Sequence, residues 1–242
     1  MIARSRALTR CAGVGAPVVA AVLLVGGGFA LASQRTITRS NARAVANAIN
    51  LRAGDLPDLK VEPTKPESAQ GKRLIAQSVK CLGLAPPSED LAEVESASFA
   101  HSTASTSLSV SSDTSILPSA SVVANDLAAE RLPHALTCDQ VDVGGLVRPS
   151  LPHDVTATIE AARLPVALSG TDGVNAVRVT VVLRTKQGPA TVSGEIYIDV
   201  VGFAYGQAEV TLNIESAFAL PSSSLEIRLL TLLVERARAA IG

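Results

Sequence analysis

The second half of this chain carries four long runs of alternating apolar and polar residues, at 155–163, 174–186, 190–204 and 207–216. In the second run Val177, Val179, Val181 and Leu183 fall on one side, and Arg178, Thr180 and Arg184 on the other. A β-strand imposes that period of two, because successive side chains leave opposite faces of the sheet. The connections are short and rich in turn residues: Ser169-Gly170-Thr171-Asp172-Gly173, Gln187-Gly188-Pro189 and Gly206. Parallel neighbours need a long crossover, so connections this short predict an antiparallel meander. Such a sheet has an apolar face that something else must cover.

The cover comes next in the chain. Residues 224–241 predict a long helix, with Ser223 and Glu226 spaced as a capping box in which each side chain satisfies a backbone donor of the first turn. Leu225, Leu229, Leu232 and Leu233 line one face, and Ile227, Leu230, Val234 and Ile241 another. Glu226, Arg228, Glu235, Arg236 and Arg238 are left a narrow wet edge. A helix this apolar buries most of its surface, and laying it across the meander satisfies both partners. The expected class is α+β: an antiparallel β-meander packed against helices, with the long C-terminal helix across the sheet.

The first half reads as helices and shorter strands. Ser40-Asn41 caps a helix to about residue 51 that shows Val45, Ala48 and Ile49 on one face, with Gly54 beyond its end. Residues 56–66 are proline-punctuated and extended. A second helix, 68–81, carries Leu74, Ile75, Val79 and Leu82 as its stripe and Gly83 as its stop. Residues 93–101 read as a strand. In 103–112 serines alternate with Leu108 and Val110, the pattern of a half-exposed strand more than of a linker. Ser119 caps a third helix to about residue 132, with Val123, Leu127 and Leu132 inward. Residues 139–154, with Gly144-Gly145 and two prolines, are the candidate hinge between halves 35–143 and 144–242 of one domain spanning 35–242.

Ahead of that domain, residues 11–34 carry no charge and follow Arg4, Arg6 and Arg10. A basic start, an apolar core at 18–25 and small residues at Ala30 and Ala32 make an export segment. Two readings stay open: a signal peptide cut after Ala32, or a retained anchor, since the uncharged stretch as a helix can cross a hydrocarbon core of about 30 Å. Both place the domain outside the cytoplasm. Cys11 precedes the apolar core and so cannot be the lipid-modified cysteine of a lipoprotein. Cys81 and Cys138 remain, and an even count in an oxidising compartment predicts one disulfide, tying the second helix to the end of the third. The alternative is two buried free thiols; neither cysteine has a CxxC partner or a histidine at ligand spacing.

Composition narrows the function. Of 21 basic residues three precede the apolar core, so the exported part sets 18 against 22 acidic residues, a net charge of −4. With no basic patch, nucleic acid is not an expected partner. Aromatic residues make up 2% of the chain and tryptophan is absent, which argues against carbohydrate subsites, aromatic cages and base-stacking platforms. No phosphate loop is present, because Gly144-Gly145 lacks a following lysine and helix. His101, His134 and His153 have neither the HExxH spacing of a zinc site nor a GxSxG elbow to serve. An envelope hydrolase would need one of them beside a serine and a carboxylate in a cleft. Glu195, Asp199, Glu209 and Glu215 are the carboxylates available for glycosidase chemistry. Glu195 and Asp199 share a strand face, but solvated strand positions account for all four. The reading is therefore not an enzyme, with no catalytic residues, no metal and no cofactor. An apolar pocket between meander and helix would be lined by Val181, Ile196, Ile198, Leu229 and Leu233, with the hydroxyls of Tyr197 and Tyr205 at its rim. Ordinary core packing is the competing account of the same residues.

The order of elements (helix, Asp55-Leu56-Pro57-Asp58 segment, helix ending in Cys81, strand, serine-rich strand, helix, Cys138) resembles exported domains of actinobacterial cell envelopes. These are the sensor domains attached to some Ser/Thr kinases and small lipoproteins with a PsbP/Mog1-like sheet. The resemblance covers residues 40–140, and the excess of arginine over lysine suits a GC-rich source. It implies a non-enzymatic binding or sensor-like domain whose partner is an envelope protein. The lipid-carrying mycobacterial lipoproteins, similar in architecture, imply the alternative of a carrier for a lipid or other apolar small molecule. These residues include no lipobox cysteine and no kinase domain, and no functional residues carry over. Membrane attachment, if retained, runs through residues 11–34.

Overall fold

A computed structural model describes residues 37–62, 69–82, 90–187 and 190–242. The export segment, the predicted helix start at Ser68, its stop at Gly83 and the turn at Gly188-Pro189 lie outside the described residues. The elements run α1 (Ala42–Ile49), β1 (Lys60–Glu62), α2 (Ala69–Cys81), β2 (Ala92–Glu95), β3 (Ser98–Ser102), β4 (Ser107–Ile116), α3 (Ala120–Glu130), α4 (Ala135–Val147), β5 (Val155–Arg163), β6 (Gly173–Gln187), β7 (Ala190–Tyr205), β8 (Ala208–Ala217) and α5 (Ser223–Ile241). The strands form one antiparallel sheet in the order β1-β3-β4-β8-β7-β6-β5, with β2 pairing β4 alongside β3. The class is the α+β architecture expected, and the meander β5 to β8 is its larger part.

One ladder joins the two halves of the chain. After β4 the chain leaves the sheet through α3 and α4, re-enters at the far edge as β5 and winds back strand by strand. It then lays β8 along the whole of β4, from Ser107↔Ala217 to Ile116↔Ala208. Helices cover both faces. On one, α1 and α5 close over Phe99, Val110, Ile116, Val201, Phe203, Val210, Leu212 and Ile214. On the other, α3 packs against Ala204 and α4 against Val177, Val179 and Val181. The helix α2 lies outside, against α4.

The serine-rich strand shows why polar residues can point into a core. Its even positions face α1, so Val110 and Ile116 are buried there together with Ser112 and Thr114. Asn50, buried at the end of α1, meets their hydroxyls: its Oδ1 accepts from Ser112 Oγ at 3.0 Å and from Thr114 Oγ1 at 2.8 Å. Its Nδ2 donates to the Val94 carbonyl at 2.6 Å, and Ser112 Oγ accepts the Leu51 N–H at 2.9 Å. Buried polar groups persist in a core when they are paired in this way. Just beyond, Arg236 of α5 grips Asp55 through both carboxylate oxygens at 2.7 and 2.8 Å and donates to the Asn50 carbonyl. Burial pushes the Asp55 carboxyl up, but the bonds from Arg236 and the Arg52 N–H outweigh it and hold the group below its usual value.

Several expectations change. Residues 139–154, read as a hinge, are largely helical: α4 runs through Gly144-Gly145 to Val147, and a 3-10 turn follows at Arg148–Ser150. A Cβ on Gly145 would lie 2.5 Å from Leu74 Cδ2, so this glycine permits the close approach of α2 and does not mark a flexible joint. The disulfide Cys81–Cys138 is present, with Cα atoms 5.8 Å apart, and joins α2 to α4, not to the end of α3. Leu132, expected inward, lies past the end of α3 and is 43% exposed. Residues 93–101 divide into β2 and β3, and the serine strand begins four residues later than expected, at Ser107. Ser119 does cap α3, accepting the Val122 N–H. The Asn41 carboxamide instead accepts the Thr38 N–H and makes no cap to α1.

Replacing Asn50 with alanine orphans two hydroxyls and a carbonyl, each costing about 1–3 kcal/mol when left unpaired in a core. The expected loss is about 3 kcal/mol in urea denaturation, and a loss under about 1 kcal/mol would contradict the role given to Asn50. Reduction of Cys81–Cys138 opens a loop of sequence separation 57, worth roughly 4 kcal/mol in the chain-entropy model. Hydrogen exchange on the reduced protein should show α2 losing protection while the β4–β8 ladder keeps it.

Candidate functional site

A cleft of about 500 Å³ opens between α5 and the segment that leads from β5 to β6. That segment, Leu164-Pro165-Val166-Ala167-Leu168-Ser169, forms one wall, and α5 from Ser223 to Arg238 forms the other. Its near end is fixed to the sheet by Leu164 N–H on the Ala176 carbonyl, its far end to α5 by Arg238 Nη2 on the Ser169 carbonyl at 2.9 Å. Gly170 makes the far attachment possible. It sits at φ 72°, and a Cβ there would fall 1.6 Å from Arg238 Nη2.

The floor is charged. The register of the β6–β7 ladder sets Arg178 opposite Asp199. Arg178 binds Asp199 with two parallel bonds, Nε to Oδ1 at 2.6 Å and Nη2 to Oδ2 at 2.7 Å. The side chain of Asp199 is fully buried and that of Arg178 is 24% exposed. The Tyr197 ring lies beneath the guanidinium, with its centroid 5.9 Å from Cζ. The Tyr197 hydroxyl donates to the Glu195 carboxylate, and that hydrogen bond, followed by desolvation, raises its pKa.

Above this pair hangs Glu226, in the first turns of α5. It lines the cleft, is only 6% exposed, and accepts no hydrogen bond among the described residues. Desolvation raises its pKa and the neighbouring Asp199 raises it further, against the pull of Arg178. The expected capping box does not form: the N-cap is Ser222, without a side-chain cap bond, and Glu226 turns into the protein. The buried face of α5 is Glu226, Leu229, Leu230, Leu233, Val234, Ala237 and Ile241, while Ile227 is 61% exposed at the cleft.

The residues named for an apolar pocket do not meet. Val181, Ile196 and Ile198 lie on the α4 face of the sheet. Leu229 and Leu233, on α5, are buried against the other face. Tyr197 shares the α5 face but sits against Arg178, and Tyr205 packs at the edge of the α5 core. None of the seven lines the cleft. Of the four strand carboxylates, Asp199 and Glu209 are buried, and only Glu195 and Glu215 stand in solvent. His101, His134 and His153 are exposed, on β3, before α4 and before β5, with no hydrogen bond from a ring to a serine or carboxylate among the described residues. Among these residues, too, no three His, Cys, Asp or Glu side chains are grouped to hold a metal ion, and no helix is long and apolar enough to cross a membrane.

No family model and no curated protein matches the chain. Among solved structures it is similar to the extracellular domain of PknH from Mycobacterium tuberculosis, at 7% identity and a TM-score of 0.37, over 86% of this chain and 100% of that one. At this identity and score the likeness assigns no function.

The raised Glu226 carboxyl has a signature in stability. The unfolded chain releases the Glu226 proton near pH 4.3, whereas the folded protein keeps it to higher pH. Stability therefore declines as pH rises from that range through the native value, then levels. Glu226→Gln removes the decline. The variant should be more stable than the wild type at pH 7, with the gap closing by pH 4, as urea midpoints at the two pH values will show.

Proposed function

We propose that this protein is a non-enzymatic extracytoplasmic binding domain of the cell envelope, and that its ligand is a small, largely apolar molecule held in the cleft under α5. The observation that carries the reading is the cleft itself. Its volume of about 500 Å³ falls within the roughly 300–1,000 Å³ of small-molecule sites, and it combines apolar walls with a few fixed polar groups. The export segment and the disulfide support the compartment, since such bonds persist where the surroundings oxidise.

A carrier for a lipid is the second reading, and the interior weighs against it. Leu229, Leu230 and Leu233 are fully buried in one core cluster with Phe203, Leu212 and Ile214 of the sheet. The space between α5 and the meander, where an acyl chain would lie, is filled by side chains.

Native mass spectrometry of the protein purified from its own host tests the reading. The expected spectrum carries an additional mass of a few hundred daltons that denaturation removes, the scale of ligand that such a site holds. A bare protein mass, with no small molecule from a host extract restoring a complex, would overturn it. A diacyl lipid mass would favour the carrier.

A further inference from the structure

We propose that the molecule held in the cleft bears one protonated amine on an apolar body, and that the Glu226 carboxylate receives the amine. This rests on the binding-domain reading above.

The inference begins with a charge that the protein leaves unanswered. Glu226 is more than nine-tenths buried, its carboxyl lines the cleft, and no donor among the described residues bonds it. The charged groups facing it are Arg178 from β6 and Asp199 from β7. Arg178 is committed to Asp199 through two bonds, so its charge is matched there. At the rim Arg238 and Glu235 carry opposite charges, and Arg238 is held on the Ser169 carbonyl. The uncompensated charge of the site is thus one negative, on Glu226. A buried carboxylate without donors is costly, and a ligand ammonium supplies both the charge and the hydrogen bonds. A ligand carboxylate would place a third negative charge beside Asp199 and Glu226, against the single positive charge of Arg178. An alcohol would bond but leave the charge unmatched. Leu164, Val166, Leu168 and Val234 provide the hydrocarbon wall for the rest of the molecule.

The test uses three probes of one chain length, octylamine, octanol and octanoate, titrated into the isotope-labelled protein at pH 7 and followed by amide chemical shifts. Octylamine should perturb residues 164–170 and the start of α5, binding roughly tenfold or more tighter than octanol, as expected for a hydrogen bond to a charged group. Octanoate should be the weakest. In Glu226→Gln the advantage of the amine over the alcohol should shrink to about twofold or less, with octanol unchanged. A measurement that needs no variant is the pH dependence. Protonating Glu226 on lowering pH from 7 to 4 should weaken octylamine and leave octanol alone. Octanol or octanoate binding as tightly as octylamine would overturn the amine inference while the cleft remained a binding site. No probe moving the cleft amides would overturn both.

Discussion

The ten-residue ladder between β4 and β8 is the constraint from which the other contacts follow. It closes a loop containing two helices and three strands, and because closure entropy grows only with the logarithm of loop length, the insertion is tolerated. Its register is also pinned. Both strands are buried on each face along most of their length, so a slip by one residue would turn Val110, Ile116, Val210, Leu212 and Ile214 away from the α5 core. The register further decides that Ser112 and Thr114 face α1. The Asn50 Oδ1 is paired there because two hydroxyls on alternate residues of one strand arrive together.

From that point the order propagates to the cleft. Asn50 ends α1, Asp55 closes the next turn, and Arg236 bridges the two to α5. With α5 fixed at this end and along its leucines, its first turns are carried over β6 and β7, where Arg178 and Asp199 already face each other. The Arg178–Asp199 pair is better understood as a positioning device than as a source of stability, since desolvation of the fully buried carboxylate and partly buried guanidinium offsets much of their attraction. It holds a guanidinium at a defined depth, with two of its donors on Asp199, below a carboxyl that receives none.

Much of this was readable in the sequence. Period-two alternation found β5 to β8 to within a residue or so, because long half-buried strands display their pattern and short connections leave one topology. Ser119, followed by a helical period, gave the start of α3, and the parity of the cysteines gave the disulfide. The losses have common physical causes. Gly144-Gly145 suggests a joint because glycine is weak in an isolated helix, but here the missing side chain of Gly145 lets α2 and α4 touch, and only tertiary packing shows that. Leu132 looked like the continuation of an apolar stripe, whereas the chain had already left the helix.

The cleft was hidden for a different reason. A binding site assembled from a sheet floor, a loop wall and a distant helix has no spacing in the sequence. The apolar residues that suggest a pocket are consumed by the core on both faces. Half of the floor could have been found: counting outward from a connection at residues 188–189 pairs Arg178 with Asp199, two opposite charges on what looked like the wet face of a hairpin. The spacing of Glu226 from Ser223 fits a capping box, a local role that conceals the inward one. The helix starts instead at a cap with no side-chain bond, and the glutamate is spent inward where burial raises its pKa. A chain that declines an available cap and buries a carboxyl without a donor has departed from local consistency twice at one residue. Such departures concentrate where structure serves a function other than folding, which is why the proposed ligand follows from the unsatisfied acid and not from the apolar lining.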